Sequence, residues 1–395
     1  MTDFFNQKHR NTILVSFFNN FYAGMMNLIL IGLQISFMIS LNRPATDTAL
    51  LISLQSFGTL FTMYFAGSLS DKVGRKNLMI IGIVFYLFYI IGFIVFNSFN
   101  ALIVFSVLAG IGSGLIDSPG KSLIFDAVEG KTGPYLSVNQ VFFSAGTVFS
   151  TTLASLFTLK EWSWKNIYIF FLSVTVIYLV VLLRAKFPPV KRTEITETDN
   201  SSNRNLGARP IMMMLLIIML LFATIQSVLS TWLPQLAMTL KNMSEAFSVS
   251  LLTYYQIGGV LGAILIGQWM KKIHTTTFMI ISPLIVAVVL SIVVFMPIDT
   301  IMGILVLIIG FFLAIYYAYC INMGGLIYPN NTGAASGAVG TMFMFGQTVT
   351  ITLSTFFVRK WDLLSLFILS IFLVIVLLLL ATYFRKRYFE FEASR

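Results

Sequence analysis

Two side chains of opposite charge, Asp117 and Lys121, lie four residues apart inside a long apolar stretch. On a helix this spacing puts both on one face, where they can form an ion pair, and Pro119 between them predicts a kink. An ionisable group within an apolar span is costly and by default indicates function. We therefore expect Asp117 to bind and release a proton, with Lys121 as its counter-ion or as a clamp for a charged substrate. A structural alternative stays open, in which the two charges neutralise each other and Lys121 extends to water.

The overall composition indicates the solvent in which these charges lie. Of the 395 residues, 57% are hydrophobic and 10% are charged, whereas soluble proteins average about 25% charged residues. A soluble chain with so few charges would expose large apolar patches. The composition therefore excludes a soluble enzyme, a nucleic-acid-binding protein, a disulfide-rich secreted domain and a disordered chain. It indicates an integral membrane protein in a lipid bilayer.

Apolar stretches long enough to cross a bilayer as helices, about 20 residues each, recur along the chain. They lie near 12–40, 48–68, 78–97, 101–124, 135–158, 166–187, 210–237, 247–270, 276–296, 301–326, 334–357 and 363–384. A polar stretch follows the sixth of them. We therefore expect an all-α integral membrane protein with twelve transmembrane helices in two six-helix bundles, 1–187 and 210–395, joined by a cytoplasmic linker at 188–209.

The basic residues predict the orientation of these spans. Most of the 25 lysines and arginines fall in loops on the same side as the N-terminus, and such an excess marks the cytoplasmic side. We therefore expect a multi-pass protein of the cell membrane with both termini in the cytoplasm. The single cysteine, Cys320, permits no internal disulfide.

A short loop between the second and third spans carries a recognisable spacing of glycines and charges. Its defining positions are Gly67, Asp71, Lys72, Gly74, Arg75 and Lys76. This loop resembles the signature loop of the major facilitator superfamily. The resemblance implies two pseudo-symmetric bundles and transport of a small solute by alternating access.

The residues of this loop also suggest a cytoplasmic gate. Gly74 supplies a tight turn, and Arg75 can pair with a carboxylate at the inner end of the fourth span. Asp126 and Glu129 are the candidates there, and we expect Asp126. Together with Asp71, such contacts would hold the two halves together and break when the cytoplasmic side opens.

Two further stretches resemble different branches of this superfamily. Gly110, Gly112, Gly114 and Asp117, with Asn139 beyond them, resemble the fucose–proton symporter group. The stretch from Tyr254 to Gly262 resembles the aromatic-acid–proton symporter group instead. Drug antiporters of this fold are similar to one another in an arginine of the fourth span, where this chain has Ser106, so drug or metabolite efflux is the weaker alternative.

The resemblance implies a central cavity surrounded by the first, fourth, seventh and tenth spans. The candidates for its polar lining are Asn20, Asn27, Gln34, Asn139, Gln140, Gln226, Tyr255, Gln256, Tyr316, Tyr319, Asn322 and Gln347. The first three recur every seven residues, which predicts one shared helix face. Amides inside a membrane also tie helices together, so each one has that alternative role.

These observations lead to one functional prediction, a secondary transporter that couples a small organic solute to protons. Proton coupling is preferred over sodium coupling because no broken helix or additional buried acid is apparent. The only histidines, His9 and His274, fall at cytoplasmic positions, so we expect neither a metal nor a cofactor, and an enzyme or a channel is disfavoured. The expected partners are the solute, protons and lipid, with no nucleic acid, and we expect a monomer.

Overall fold

The chain folds almost entirely into long helices. The structure, a computed structural model, describes residues 10–127, 133–187, 208–269, 274–297, 301–313, 316–328 and 332–393. Contacts divide the chain into two compact units, which are Met1–Glu194 with Glu245–Ser250, and Ile195–Ser244 with Leu251–Arg395. We refer to them as unit 1 and unit 2.

Unit 1 contains the helices of the N-terminal part of the chain. They are α1 Arg10–Asn27, α2 Ile29–Gly32, α3 Gln34–Ser40, α4 Ala45–Val73, α5 Arg75–Val95, α6 Phe99–Ala127, α7 Gly133–Leu159 and α8 Trp164–Arg184. Helix α6 packs against α4, α5 and α1, while α1 packs against α7 and α5 against α8. Helix α6 therefore packs against three other long helices of its unit.

The C-terminal part of the chain contains seven further helices among the described residues. They are α9 Ala208–Leu240, α10 Glu245–Trp269, α11 Thr275–Phe295, α12 Met302–Leu313, α13 Tyr316–Ile327, α14 Thr332–Lys360 and α15 Leu363–Ala393. Within unit 2, α9 packs against α14 and α15, and α11 packs against α12 and α15. The first residues of α10, Glu245–Ser250, belong to unit 1.

Nine helical stretches within the described ranges are long and apolar enough to cross a membrane, and α12 is a shorter apolar helix. The all-α membrane architecture is therefore confirmed. The remaining predicted spans correspond to α4, α10 and the pair α12 and α13. The count of twelve spans and the side on which the termini lie stay predictions. The domain boundaries also stay predictions, and residues 188–207 of the expected linker lie outside the described residues.

The first predicted span is interrupted, contrary to the expectation that no helix is broken. Leu28 (φ −98°, ψ 0°) and Leu33 (φ −99°, ψ 5°) separate α1, α2 and α3. These angles lie in the sparsely populated bridge region. Both leucine side chains are buried, and no proline stands at the breaks. Gly32, a residue type with wide conformational freedom, directly precedes the second break.

Helices α4 and α6 touch through their backbones at a pair of glycines. A Cβ atom on Gly110 would collide with the carbonyl oxygen of Gln55 and lie 2.9 Å from the Cα atom of Gly58. In a bilayer, close packing of small residues contributes much of the force that associates helices. This contact holds the middle of α6 against α4 and so helps to fix the helix that carries Asp117.

Candidate functional site

The charged pair predicted in the fourth span is present in α6. Lys121 Nζ lies 2.7 Å from Asp117 Oδ2, and Pro119 lies within the helix between them. The side chain of Asp117 is 10% exposed, whereas that of Lys121 is 39% exposed. The site therefore consists of a buried acid and a base with partial access to the outside of the unit.

The second carboxylate oxygen of Asp117 has a different environment. Oδ1 is buried and accepts no hydrogen bond from the residues that the structure describes. The hydroxyl group of Tyr86, from α5, lies near Ser113 and close enough to Asp117 to interact electrostatically. A buried acceptor without a donor is unfavourable, and a proton on this carboxyl group would remove its charge.

The predicted polar residues of α1, α3 and α7 lie in different environments. Asn20 and Asn139 are buried, and the Oδ1 atom of each lacks a donor within the described ranges. Asn27 and Gln140 are exposed. Gln34 is buried, and its Nε2 atom donates to the backbone carbonyl of the first residue of α4 (3.4 Å). The predicted stripe of the first span crosses both helix breaks, and its three amides do not share one environment.

In unit 2 the structure brings Gln226 of α9 near Tyr255 of α10, and neither Gln226 Oε1 nor the Tyr255 hydroxyl has a hydrogen-bond partner among the described residues. Tyr255 is buried, whereas Gln226, Gln256 and Gln347 are partly buried. The amide and hydroxyl pair offers hydrogen bonds to a neutral polar group inside this unit.

Three other candidates of unit 2 have clear structural partners. The Tyr316 ring stacks on Phe222 with centroids 5.1 Å apart, and its hydroxyl donates to the carbonyl of Met279 (3.2 Å). The buried Tyr319 ring stacks on Phe278 of α11, with centroids 5.9 Å apart. Asn322 Nδ2 donates to the Thr275 hydroxyl (3.1 Å). Tyr316 and Asn322 therefore tie α13 to α11, which is the alternative role that the sequence left open for them.

The loop between α4 and α5 forms the expected ion pair. The guanidinium group of Arg75 contacts both carboxylate oxygens of Asp126, with Nη2 3.1 Å from Oδ1 and Nε against Oδ2. Both side chains are buried, and Gly74 has a positive φ of 92° that favours glycine. The pair joins the start of α5 to the end of α6 within unit 1. Its role as a gate stays a prediction.

Lys76 binds the end of another helix of unit 1. Its Nζ atom donates to the carbonyls of Leu183 (2.7 Å) and Ala185 (2.8 Å) and so caps the C-terminal end of α8. A cation at this end of a helix is favourable. The side chains of Gly67, Asp71 and Lys72, and all of Glu129, lie outside the part of the chain that the structure describes.

Sequence reasoning missed several residues around Asp117. Asn19 and Ser16 of α1 donate to backbone carbonyls of α6, and Tyr178 of α8 donates to Asn19. The signal available was the spacing of Ser16 and Asn19, which share a helix face, opposite a glycine that directly follows Pro119. Among the described residues, no group of three or more His, Cys, Asp or Glu could hold a metal ion.

Long apolar helices that pack through glycines and enclose a charged pair define a membrane-spanning protein with a polar site inside its helices. The model of the Major Facilitator Superfamily matches residues 13–318. The chain belongs to this superfamily of transporters, as the loop at Gly67–Lys76 predicts. The family assignment and its fold are therefore confirmed.

Comparison with individual proteins gives more distant similarities. The chain is 26% identical to the uncharacterized MFS-type transporter YfkL of Bacillus subtilis, over 82% of this chain and 83% of that protein. It superposes on a D-xylose-proton symporter with a TM-score of 0.77 at 15% identity, covering 95% of this chain and 96% of the other. The Escherichia coli fucose:proton symporter gives a TM-score of 0.63 at 14% identity, covering 95% and 98%. At these identities the structural matches establish the fold alone.

Proposed function

We propose that the protein transports a small organic solute by alternating access and couples it to protons in symport, with Asp117 as the proton-binding residue. The buried carboxylate of Asp117 supports this most directly. It faces one lysine through Oδ2, while Oδ1 has no donor among the described residues. In this proposal the carboxylate is ionised beside Lys121 in one state of the transport cycle and carries the coupled proton in the other.

Lys121 makes the two states different for the rest of the site. When Asp117 is ionised, the lysine is held 2.7 Å away. When Asp117 is protonated, this attraction is lost, and the partly exposed ammonium group can turn toward water or a solute. Proton binding therefore changes the charge that the site presents, which is the differential interaction that coupling requires.

The solute we propose is a sugar, with an aromatic acid as the alternative. Gln226 and Tyr255 offer neutral hydrogen-bonding groups, as hydroxyl-rich solutes require. The D-xylose-proton and fucose:proton symporters share the fold, and this supports the sugar without establishing it. Lys121 is the group that would bind an acid.

Transport by the purified full-length protein in proteoliposomes tests this proposal. Uptake of radiolabelled D-xylose, L-fucose and benzoate is measured with an imposed inward proton gradient, with the gradient collapsed by an ionophore, and with a sodium gradient alone. The sodium arm is needed because the first span is broken. We expect accumulation of one solute only with the proton gradient. Accumulation driven by sodium, or unaffected by pH, would refute proton coupling.

Variants of the acid test the role of Asp117. Asp117→Asn is expected to abolish accumulation against a gradient while counterflow exchange of the same solute continues. Glu390→Gln is the matched control, because Glu390 is an exposed acid paired with Arg387. If Asp117→Asn accumulates solute as the parent protein does, Asp117 is not the coupling residue.

A further inference from the structure

Helix α1 contacts the backbone of α6 at the turn between Asp117 and Lys121. Asn19 Nδ2 donates to the carbonyl of Ile116 (3.4 Å), and Ser16 Oγ donates to the carbonyl of Gly120 (2.7 Å). Ile116 and Gly120 directly precede the two charged residues. The two donors of α1 therefore hold the peptide groups that lead into Asp117 and into Lys121.

This turn of α6 needs such support because Pro119 weakens it. A proline within a helix donates no hydrogen bond and bends the backbone. The relative position of Asp117 and Lys121 depends on the dihedral angles of the residues between them. Contacts from α1 at Ile116 and Gly120 limit those angles where the helix by itself is least constrained.

Gly120 lets the asparagine reach the backbone. A Cβ atom at Gly120 would collide with the Nδ2 atom of Asn19 and lie 2.6 Å from its Cγ atom. The amide group of Asn19 thus lies directly against the Cα atom of Gly120. Any other residue at position 120 would displace the amide from α6.

The side-chain amide of Asn19 is oriented by a hydrogen bond from α8. Tyr178 of α8 donates its hydroxyl proton to Asn19 Oδ1 at 2.6 Å, and both residues are fully buried. Because Oδ1 accepts this bond, Nδ2 faces the carbonyl of Ile116. Tyr178 also packs against Tyr22, with ring centroids 4.9 Å apart, so three helices determine the position of one amide.

We infer that Asn19 and Ser16 are positioning residues, which hold the turn of α6 that contains Pro119 so that Asp117 and Lys121 stay paired. The inference concerns the geometry of the pair, and its relevance to transport rests on the proposed function. Lys121 on the same helix and Tyr86 from α5 are titratable groups that interact with Asp117, while the α1 side chains that bond to this turn, Ser16 and Asn19, are neutral. Loosening the turn therefore acts on Asp117 chiefly through the distance to Lys121.

The test measures protonation of Asp117 without any solute. Dicyclohexylcarbodiimide adds to a protonated carboxyl group to give a stable N-acylurea, which mass spectrometry assigns to a residue. Purified full-length protein in detergent is labelled across a range of pH, and the midpoint for Asp117 is recorded. Asn19→Leu is expected to move this midpoint to higher pH, because a loosened turn takes the Asp117 carboxylate away from the Lys121 ammonium group that is now 2.7 Å from it.

Matched variants separate positioning from general damage. Tyr178→Phe removes one oxygen atom and is expected to shift the midpoint in the same direction by a smaller amount. Ser16→Ala shifts it, whereas Ser16→Thr keeps the hydroxyl and restores the parent value. Asn20→Leu is the control, since Asn20 is a buried asparagine of the same helix whose Oδ1 atom accepts no hydrogen bond from the described residues, and it leaves the midpoint unchanged.

The opposite results overturn the inference. If Asn19→Leu and Tyr178→Phe both leave the midpoint within about 0.3 units of the parent value, Asn19 only ties helices together. If Asn19→Leu does not fold, Tyr178→Phe and Ser16→Ala decide. If the midpoint shifts in Asn19→Leu but Asp117→Asn still accumulates solute fully, the positioning role stands and the coupling role is rejected. If the midpoint does not shift but Asp117→Asn fails to accumulate solute, only the positioning role is rejected.

Discussion

Removing the charge of Asp126 tests the energetics of the buried ion pair that joins α5 to α6. The side chains of Arg75 and Asp126 are only 9% and 1% exposed, so water cannot replace the lost carboxylate. Removing one partner of a buried pair costs about 3–5 kcal/mol, because the remaining charge stays buried. Asp126→Asn keeps the shape of the side chain and therefore isolates this electrostatic cost.

Thermal unfolding in detergent, followed by near-ultraviolet circular dichroism, measures the effect. For a unit of this size each kcal/mol lowers the midpoint of unfolding by about 2–4 °C. Asp126→Asn should therefore lower it by at least about 6 °C. Glu390→Gln is the control, because its pair with Arg387 is about half exposed, and exposed pairs contribute little.

A double variant completes the test. Arg75→Met with Asp126→Leu removes both charges and leaves an apolar contact, so it should be more stable than either single variant. The reasoning is refuted if each single variant lowers the midpoint by less than about 2 °C. It is also refuted if the double variant loses the full sum of the two single effects, since independent residues would behave in that way.

Three further predictions concern helix packing. The thiol of Cys320 is fully buried, so a fluorogenic maleimide should label it only after unfolding, and labelling of the folded protein would contradict its placement. Ser354→Ala leaves the Trp232 indole N–H, now 2.9 Å from the Ser354 hydroxyl, without its acceptor and should cost about 1–3 kcal/mol, measured by thermal unfolding, whereas Ser354→Thr should cost less. Gly110→Val forces α4 and α6 apart and should give aggregates in size-exclusion chromatography, whereas Gly324→Ala, where a Cβ atom meets only ordinary contacts, should not.

Much of the fold could be predicted from the sequence because it depends on local composition. Apolar stretches of about 20 residues identify membrane helices whatever their neighbours. The pair of Asp117 and Lys121 could also be predicted, since the spacing of four residues on one helix already places the groups together. The loop from Gly67 to Lys76 predicted the superfamily because its glycines and charges stand at defined spacings.

The first span contains contacts that the spacing of its residues did not predict. Asn19 and Asn20 are adjacent and chemically identical, and the sequence analysis selected Asn20 through the spacing of Asn20, Asn27 and Gln34. Only packing shows that Asn19 meets the backbone of α6 and that Leu28 and Leu33 interrupt the helix. The bond from Asn19 joins residues 97 positions apart in the chain, so local spacing could not reveal it.

The sequence by itself determined that the chain is a helical membrane protein of this superfamily and which acid and base share a helix face. Composition, hydrophobic length and spacing are properties of contiguous segments, so they need no knowledge of the partner helix. The tertiary structure alone decided which amides hold α6 and which tyrosines tie α13 to its neighbour. It also decided which oxygen of Asp117 lacks a donor, because each of these depends on the orientation of one helix against another.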